Sequence, residues 1–135
     1  YYLSFLFYKV LITMNYTTTL NWIHSHKANG RRPSLERMRY LLDLLDNPQD
    51  KFPAVHVVGT NGKGSTTSFL QHILTSSGYK AGTFTSPFIT RFNERIAING
   101  EQISDDDLIL TAKAIKPIVE SNSFQEKVGK VTKNN

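Results

Sequence analysis

The apolar residues of this chain change rhythm several times, and each change predicts a different element. Leu20, Trp22 and Ile23, with threonines ahead of them that can cap, predict a short helix over Asn15–His26. Gly30-Arg31-Arg32-Pro33 breaks that pattern. Leu35, Met38, Leu41, Leu42 and Leu45 then recur at helical spacing behind Ser34, a good N-cap, with Glu36 in the first turn and Asn47-Pro48 as the stop. Ala54 to Val58 (AVHVV) has no helical period. It is a short, β-branched run between Pro53 and Gly59, which predicts a buried parallel strand. Phe69, Leu70, Ile73 and Leu74 mark one face of a helix over Ser65–Ser77 that closes at Gly78, a residue type suited to the left-handed C′ position. Ala81 to Thr85 (AGTFT) follows as a second strand, completing a β-α-β unit of about 30 residues.

Beyond it, SPFITRFNER has no period and reads as a loop. Arg95 to Ile98 alternates, and Asn99-Gly100 is a two-residue hairpin signal, so Glu101 to Ile103 is expected to return as the partner strand. Ser104 is placed to cap a helix that opens with Asp105-Asp106-Asp107, where the macrodipole favours carboxylates. A metal site is the competing account of that triplet, but an N-cap followed by acids explains it without one. Pro117 is expected to end or kink this helix about three turns in. The fold class is therefore α/β, with a parallel βαβ core, a β-hairpin and flanking helices.

Composition adds less than position does. Of the 135 residues, 39% are apolar and 20% charged, as in a soluble globular domain. The absence of cysteine removes disulfides, thiolate zinc sites and cysteine nucleophiles, and points to a reducing compartment. The net charge of +5 raises the question of an acidic partner. However, residues 15–120 hold twelve basic and ten acidic groups, so most of the excess belongs to the two ends. Without interleaved aromatic and basic residues, no nucleic-acid partner is implied.

The ends differ from the middle. Residues 1–14 (YYLSFLFYKVLITM) are apolar, but they fall short of the roughly 20 residues of a spanning helix and are interrupted by Lys9. They also lack the layout of a secretory signal, so neither a membrane span nor an address label is implied, and the segment reads as a non-native upstream extension of the domain, with a membrane-surface anchor as the alternative. Residues 121–135, low in apolar content and carrying three lysines, read as a frayed tail.

The chemistry lies in Val57 to Thr66, VVGTNGKGST, between the predicted strand and helix. A lysine in a Gly-rich turn at a helix N-terminus is the physical recipe for phosphate: free amides point at the anion, the dipole adds to them, and Lys63 can reach the outer phosphates. Gly62 and Gly64 let the backbone approach with no Cβ in the way. The strict P-loop pattern fails, because the glycine it needs five residues before Gly62 is Val57. What remains is a shorter loop in which the hydroxyl is displaced by one residue, to Ser65. An ordinary βα turn with an exposed lysine is the bland alternative, and the coincidence of strand, GTNGKGS and amphipathic helix favours nucleotide binding over it. His24, His26, His56 and His72 have no partners at metal-ligand spacing and are assigned no site.

At this loop the chain resembles the folylpolyglutamate synthase and dihydrofolate synthase family, the folate branch of the Mur-type ATP-dependent ligases. The resemblance rests on Arg37 to Gln49 (RMRYLLDLLDNPQ), Val55 to Thr66 (VHVVGTNGKGST) and Thr85 to Ser104 (TSPFITRFNERIAINGEQIS). Gly64, where other Mur-type relatives place Thr, together with the TSPF and RFNERI stretches, favours the folate branch. Ser34 and Val58 depart from it, the family favouring Gly at the first and a small residue at the second.

The resemblance implies an ATP-driven ligation of L-glutamate to a reduced folate through an acyl phosphate. Thr60, Asn61, Gly62, Lys63, Gly64 and Ser65 would hold the ATP phosphates, with Lys63 as the catalytic candidate. Ser86 would be a ligand of Mg2+, and Phe88, Arg91 and Asn93 would belong to a loop bordering the folate. It further implies a cytoplasmic, monomeric parent enzyme in which residues 15–120 form the N-terminal part of an ATP-binding ligase domain of Mur-ligase-like fold, incomplete and inactive by itself. A nucleotide-binding module without ligase activity and a dihydrofolate synthase or bifunctional parent are the rival readings.

Overall fold

A computed structural model of the chain describes residues 14–26 and 35–133; side chains beyond Lys127 are left aside. The expected upstream extension, except Met14, and the Ser34 cap lie outside the described residues. The chain divides into two compact units, one drawn from residues 1–53 and 109–135 and the other from residues 54–108.

The first unit is helical. Helix α1 spans Tyr16–Ser25 and begins with a reciprocal cap: Asn15 Oδ1 accepts from the Thr18 amide at 2.9 Å, and Thr18 Oγ1 accepts from the Asn15 amide at 2.9 Å. The threonine run thus contributes the return bond, while Asn15 is the cap itself. Helix α2, Leu35–Leu44, ends three residues short of the predicted Asn47-Pro48 stop, and Asn47, with a φ of 45°, leads into a short 3-10 turn over Pro48–Lys51. Most of helix α4, Asp105–Val119, belongs to this unit, and Trp22 Nε1 donates to Glu120 Oε1 just beyond its end at 3.0 Å.

Pro117 lies in the last turn of α4 and the helix ends two residues later, about where a proline three turns in was expected to end or kink it; Glu120 N–H still bonds Lys116 C=O at 2.9 Å. One expectation fails in this unit. Residues 121–135, expected as a frayed tail, carry helix α5 over Asn122–Lys133. Its anchor is Phe124, which is buried and stacks on Tyr40 of α2 with ring centroids 5.7 Å apart, while Lys127 lies over the other end of that contact at 5.7 Å from the Tyr40 ring. One aromatic in a stretch of low apolar content supplies the contact that composition conceals.

The second unit holds helix α3, Lys63–Ser76, and a three-stranded antiparallel sheet in the order β1 (Gly82–Phe84), β2 (Ile96–Ile98), β3 (Glu101–Gln102). The hairpin turns at Asn99 and Gly100, both at positive φ, as the Asn-Gly pair predicts. Thr83 pairs with Ala97, and Ala97 with Gln102. The parallel βαβ core does not form among the described residues. Ala54–Val58 makes no ladder, and Val55 and Val58 are 76% and 75% exposed. A strand exists only where another strand accepts its backbone bonds, and β1 pairs with β2 alone. The apolar stripe of α3 is likewise uncovered, with Phe69 69% and Ile73 61% exposed.

Candidate functional site

Helix α3 begins at Lys63, two residues earlier than its periodicity suggests, because Gly62 takes the left-handed conformation (φ 77°, ψ 0°) and turns the chain directly into the helix. No side chain caps this end. The first bond within the helix runs from the Thr66 amide to the Gly62 carbonyl at 2.9 Å, so the amides of Lys63, Gly64 and Ser65 have no intrahelical acceptor. Residues 59–66 are all solvent-exposed. A Cβ built on Gly62 or Gly64 would meet no atom within 4 Å, so the space before these amides is open. Three exposed donors at the positive end of a 14-residue helix, with a lysine on its first residue, fit a phosphate group.

The Lys63 ammonium is turned onto the loop itself. Its Nζ donates to the Gly59 carbonyl at 2.6 Å and to the Thr60 carbonyl at 3.1 Å. It therefore braces the turn in this conformation, and to meet an anion it would exchange carbonyl partners for phosphate oxygens. Thr60 and Asn61 are exposed at the tip of the turn.

Ser86 occupies an exposed bend after β1 and is joined to Pro87 by a cis peptide bond. A single hydroxyl offers magnesium one oxygen, and this cation takes its remaining ligands from phosphates, waters or carboxylates, so Ser86 fits as one member of a set. No group of three His, Cys, Asp or Glu side chains among the described residues could hold a metal ion.

The stretch from Ser86 to Arg95, read from sequence as a formless loop, is organised by Glu94. Residues Phe92–Arg95 form a 3-10 turn that aims the Glu94 carboxylate back along the chain. Its Oε2 accepts from the Ile89 amide at 2.7 Å, and its Oε1 from the Thr90 and Arg91 amides at 2.9 and 2.7 Å. The Ile89 bond foremost, then those of Arg91 and Thr90, hold the carboxyl below the ordinary glutamate value against a smaller opposing effect of burial. Sequence reasoning missed Glu94. The signal was the three-residue spacing of a capping box, disguised because the N-cap residue is Arg91 instead of Ser or Thr.

The three predicted loop residues separate by role. Phe88 packs edge-on against Phe92, with the Arg95 guanidinium 5.4 Å and 5.6 Å from their ring centres. Arg91 donates through Nη2 to both oxygens of Asp105, at 2.7 and 2.9 Å. Asn93 is 2% exposed and gives both of its Nδ2 bonds to the protein, to Ile103 C=O at 2.9 Å and Asp105 Oδ1 at 3.0 Å. It braces the loop from beneath and does not face solvent. Asp105 thus receives two loop residues in addition to opening α4. The cap expected at Ser104 is formed, its Oγ accepting from the Asp107 amide at 3.0 Å.

The uncapped start of α3 thus offers three amides and a lysine, and comparison with known proteins gives the family of the chain. No family model matches the chain. The dihydrofolate synthase/folylpolyglutamate synthase of Bacillus subtilis is 46% identical over 106 residues, covering 78% of this chain and 25% of that protein. The folylpolyglutamate synthase of Lacticaseibacillus casei is 42% identical over 113 residues, covering 84% and 26%. The solved structure of the Lactobacillus casei folylpolyglutamate synthetase matches with a TM-score of 0.72 at 39% identity, covering 87% of this chain and 28% of that one. A complex described as FPGS-AMPPCP-folate matches equally, with a TM-score of 0.72 at 39% identity over 87% of this chain and 27% of that one. The chain belongs to the folylpolyglutamate synthase and dihydrofolate synthase family, and it spans about a quarter of the length of the curated relatives it matches. No described helix is long and apolar enough to cross a membrane.

Proposed function

We propose that this chain supplies the ATP-phosphate end of a ligase that joins L-glutamate to a reduced folate. The observation that carries this reading is the set of open amides on Lys63, Gly64 and Ser65 at an uncapped helix start, and the relatives solved with AMPPCP, one of them also with folate, support it. In the proposed reaction a folate carboxylate attacks the γ-phosphorus of ATP, ADP leaves, and an acyl phosphate results. The amine of glutamate then attacks the acyl carbon, its nitrogen loses a proton to water or to the departing phosphate, the amide forms, and inorganic phosphate leaves with the bonding pair. Both steps bring anions together, so donors fixed where charge gathers lower the barrier. The three amides and the Lys63 ammonium are those donors. Magnesium, when bound, would neutralise phosphate charge, with the Ser86 hydroxyl among its ligands.

The loop from Ser86 to Arg95 borders the folate in this reading, with Phe88 as its apolar face and Asn93 holding it from beneath. The polypeptide of 135 residues binds nucleotide but does not by itself complete the ligation, which in the parent enzyme takes place in the cytoplasm of the cell on a monomer. The name of the Bacillus relative joins two activities, and dihydropteroate is accordingly the second acceptor to assay.

Calorimetric titration of the chain with magnesium-AMPPCP tests the phosphate assignment. Saturable binding that weakens at least about tenfold in Lys63→Ala is expected, about 1.4 kcal/mol of lost attraction. The absence of binding by the wild-type chain overturns the reading, while binding of nucleotide with no response to tetrahydrofolate favours a nucleotide-binding module over a ligase.

A further inference from the structure

The described residues of the second unit contain one carboxylate whose hydrogen bonds all serve the backbone of its own loop. Three consecutive amides, Ile89, Thr90 and Arg91, converge on Glu94. Successive amides that point to one spot form a concavity that attracts anions. Here the chain fills it with its own carboxylate. The bonds are short, charge-assisted and well exposed to competition from water, since Ile89 is 92% exposed and the loop has no ladder of its own.

The carboxylate is held in place largely from outside the Ile89–Thr90 segment, although the Glu94 amide also donates to Arg91 C=O at 3.1 Å. The 3-10 turn that carries it is tied to the sheet by the Thr85 amide, which donates to Arg95 C=O at 2.8 Å. Asn93 fixes the same turn to Ile103 and Asp105 from inside. Glu94 therefore stands on a rigid footing and reaches out to a segment with little else to shape it. The Arg91–Asp105 pair secures the far end of that segment but touches only a side chain, leaving the path of Ile89 and Thr90 to Glu94.

We propose that Glu94 is a positioning residue: it sets the backbone of Ile89–Arg91 from the rigid 3-10 turn, and so fixes the shape in which the Ser86–Arg91 loop meets a folate, without touching the substrate. This rests on the reading of that loop as the folate border. The division of acceptors makes the effect specific. Oε1 receives two amides and Oε2 one, so in Glu94→Gln the amide oxygen best serves Thr90 and Arg91, while the new NH2 group faces the Ile89 amide, donor against donor.

The experiment compares the full wild-type chain with Glu94→Gln by residue-resolved amide hydrogen exchange and by titration with tetrahydrofolate and magnesium-AMPPCP. The expected result is exchange at Ile89 faster by about tenfold or more, with Thr90 and Arg91 less affected, α3 amides unchanged, tetrahydrofolate affinity lowered several-fold, and AMPPCP affinity unchanged. Unaltered exchange at Ile89 overturns the proposal. Altered exchange with undiminished tetrahydrofolate binding overturns it too, while the folate reading stands. A wild-type chain that binds no tetrahydrofolate overturns that reading and this proposal with it. Should the variant unfold, the wild-type chain gives the answer: the Ile89, Thr90 and Arg91 amide shifts must titrate together with the Glu94 carboxyl at acid pH, and shifts that ignore it count against the proposal. The other charged groups of this loop are Arg91, paired with Asp105, and Arg95, set against Phe88 and Phe92.

Discussion

The second unit contains two turns that each collect three consecutive backbone amides, and they use them in opposite ways. At the start of α3 the amides of Lys63, Gly64 and Ser65 are left open, bounded by glycines and exposed to solvent. Between β1 and β2 the amides of Ile89, Thr90 and Arg91 are consumed by Glu94. The backbone offers the same donors in both places. The difference is whether the sequence supplies an anion of its own, and it teaches that a binding turn is recognised as much by the absence of an internal acceptor as by its glycines. The only charged side chain in the open turn is a cation, Lys63, and it rests on carbonyls that a phosphate could replace.

The largest effect should come from removing that cation. On the proposed reading, Lys63→Ala in an intact homologous chain is expected to lower glutamate addition by about two orders of magnitude or more, the loss of an electrostatic clamp. Steady-state turnover with saturating ATP checks it. Near-normal turnover would reduce the open turn to a structural one and erase the contrast with the Glu94 loop.

The closed turn should respond in stability instead. Asn93→Ala removes two hydrogen bonds at a 2% exposed side chain and leaves Ile103 C=O without that donor, at a cost of about 1–3 kcal/mol in chemical denaturation of the chain. Gly64→Ala separates the two currencies within the open turn. Its Cβ meets no protein atom within 4 Å, and alanine is the better helix former, so the chain should gain about 0.5–1 kcal/mol. A methyl group before the open amides should nonetheless weaken magnesium-AMPPCP binding by roughly tenfold, about 1.4 kcal/mol. Equal losses of stability and affinity would mean that this glycine serves the fold alone.

The two turns were not equally legible. GTNGKGS announced itself because glycine, lysine and a following amphipathic helix are visible in one dimension, although the helix begins two residues early and the strand expected ahead of the turn does not form. The Glu94 loop was invisible because its order comes from one carboxylate folding back three to five residues, in a stretch without period. The hairpin at Asn99-Gly100 and the Ser104 cap were readable for the opposite reason, since each is dictated by two to four neighbouring residues. What failed was non-local. The strand expected at 54–58 needs a partner that no local pattern can promise, and helix α5 depends on Phe124 finding Tyr40 more than eighty residues away in sequence.

The finest distinction between the turns is their response to acid. Glu94 has its pKa lowered in the folded chain, first by the Ile89 amide and then by those of Arg91 and Thr90. A carboxylate with a depressed folded value contributes stability that is complete above its unfolded pKa and is lost as the pH falls through the folded one. The folded loop should therefore release Ile89–Arg91 only as the pH drops below the ordinary glutamate range. The open turn, residues 59–66, contains no carboxylate. Amide exchange followed from neutral pH into that acidic window, after correction for the intrinsic rate at each pH, should show protection falling at Ile89, Thr90 and Arg91 together while the amides of α3 beyond its first turn hold theirs. Parallel loss in both places would mean that acid is unfolding the whole unit, and that the carboxylate does not govern its loop separately.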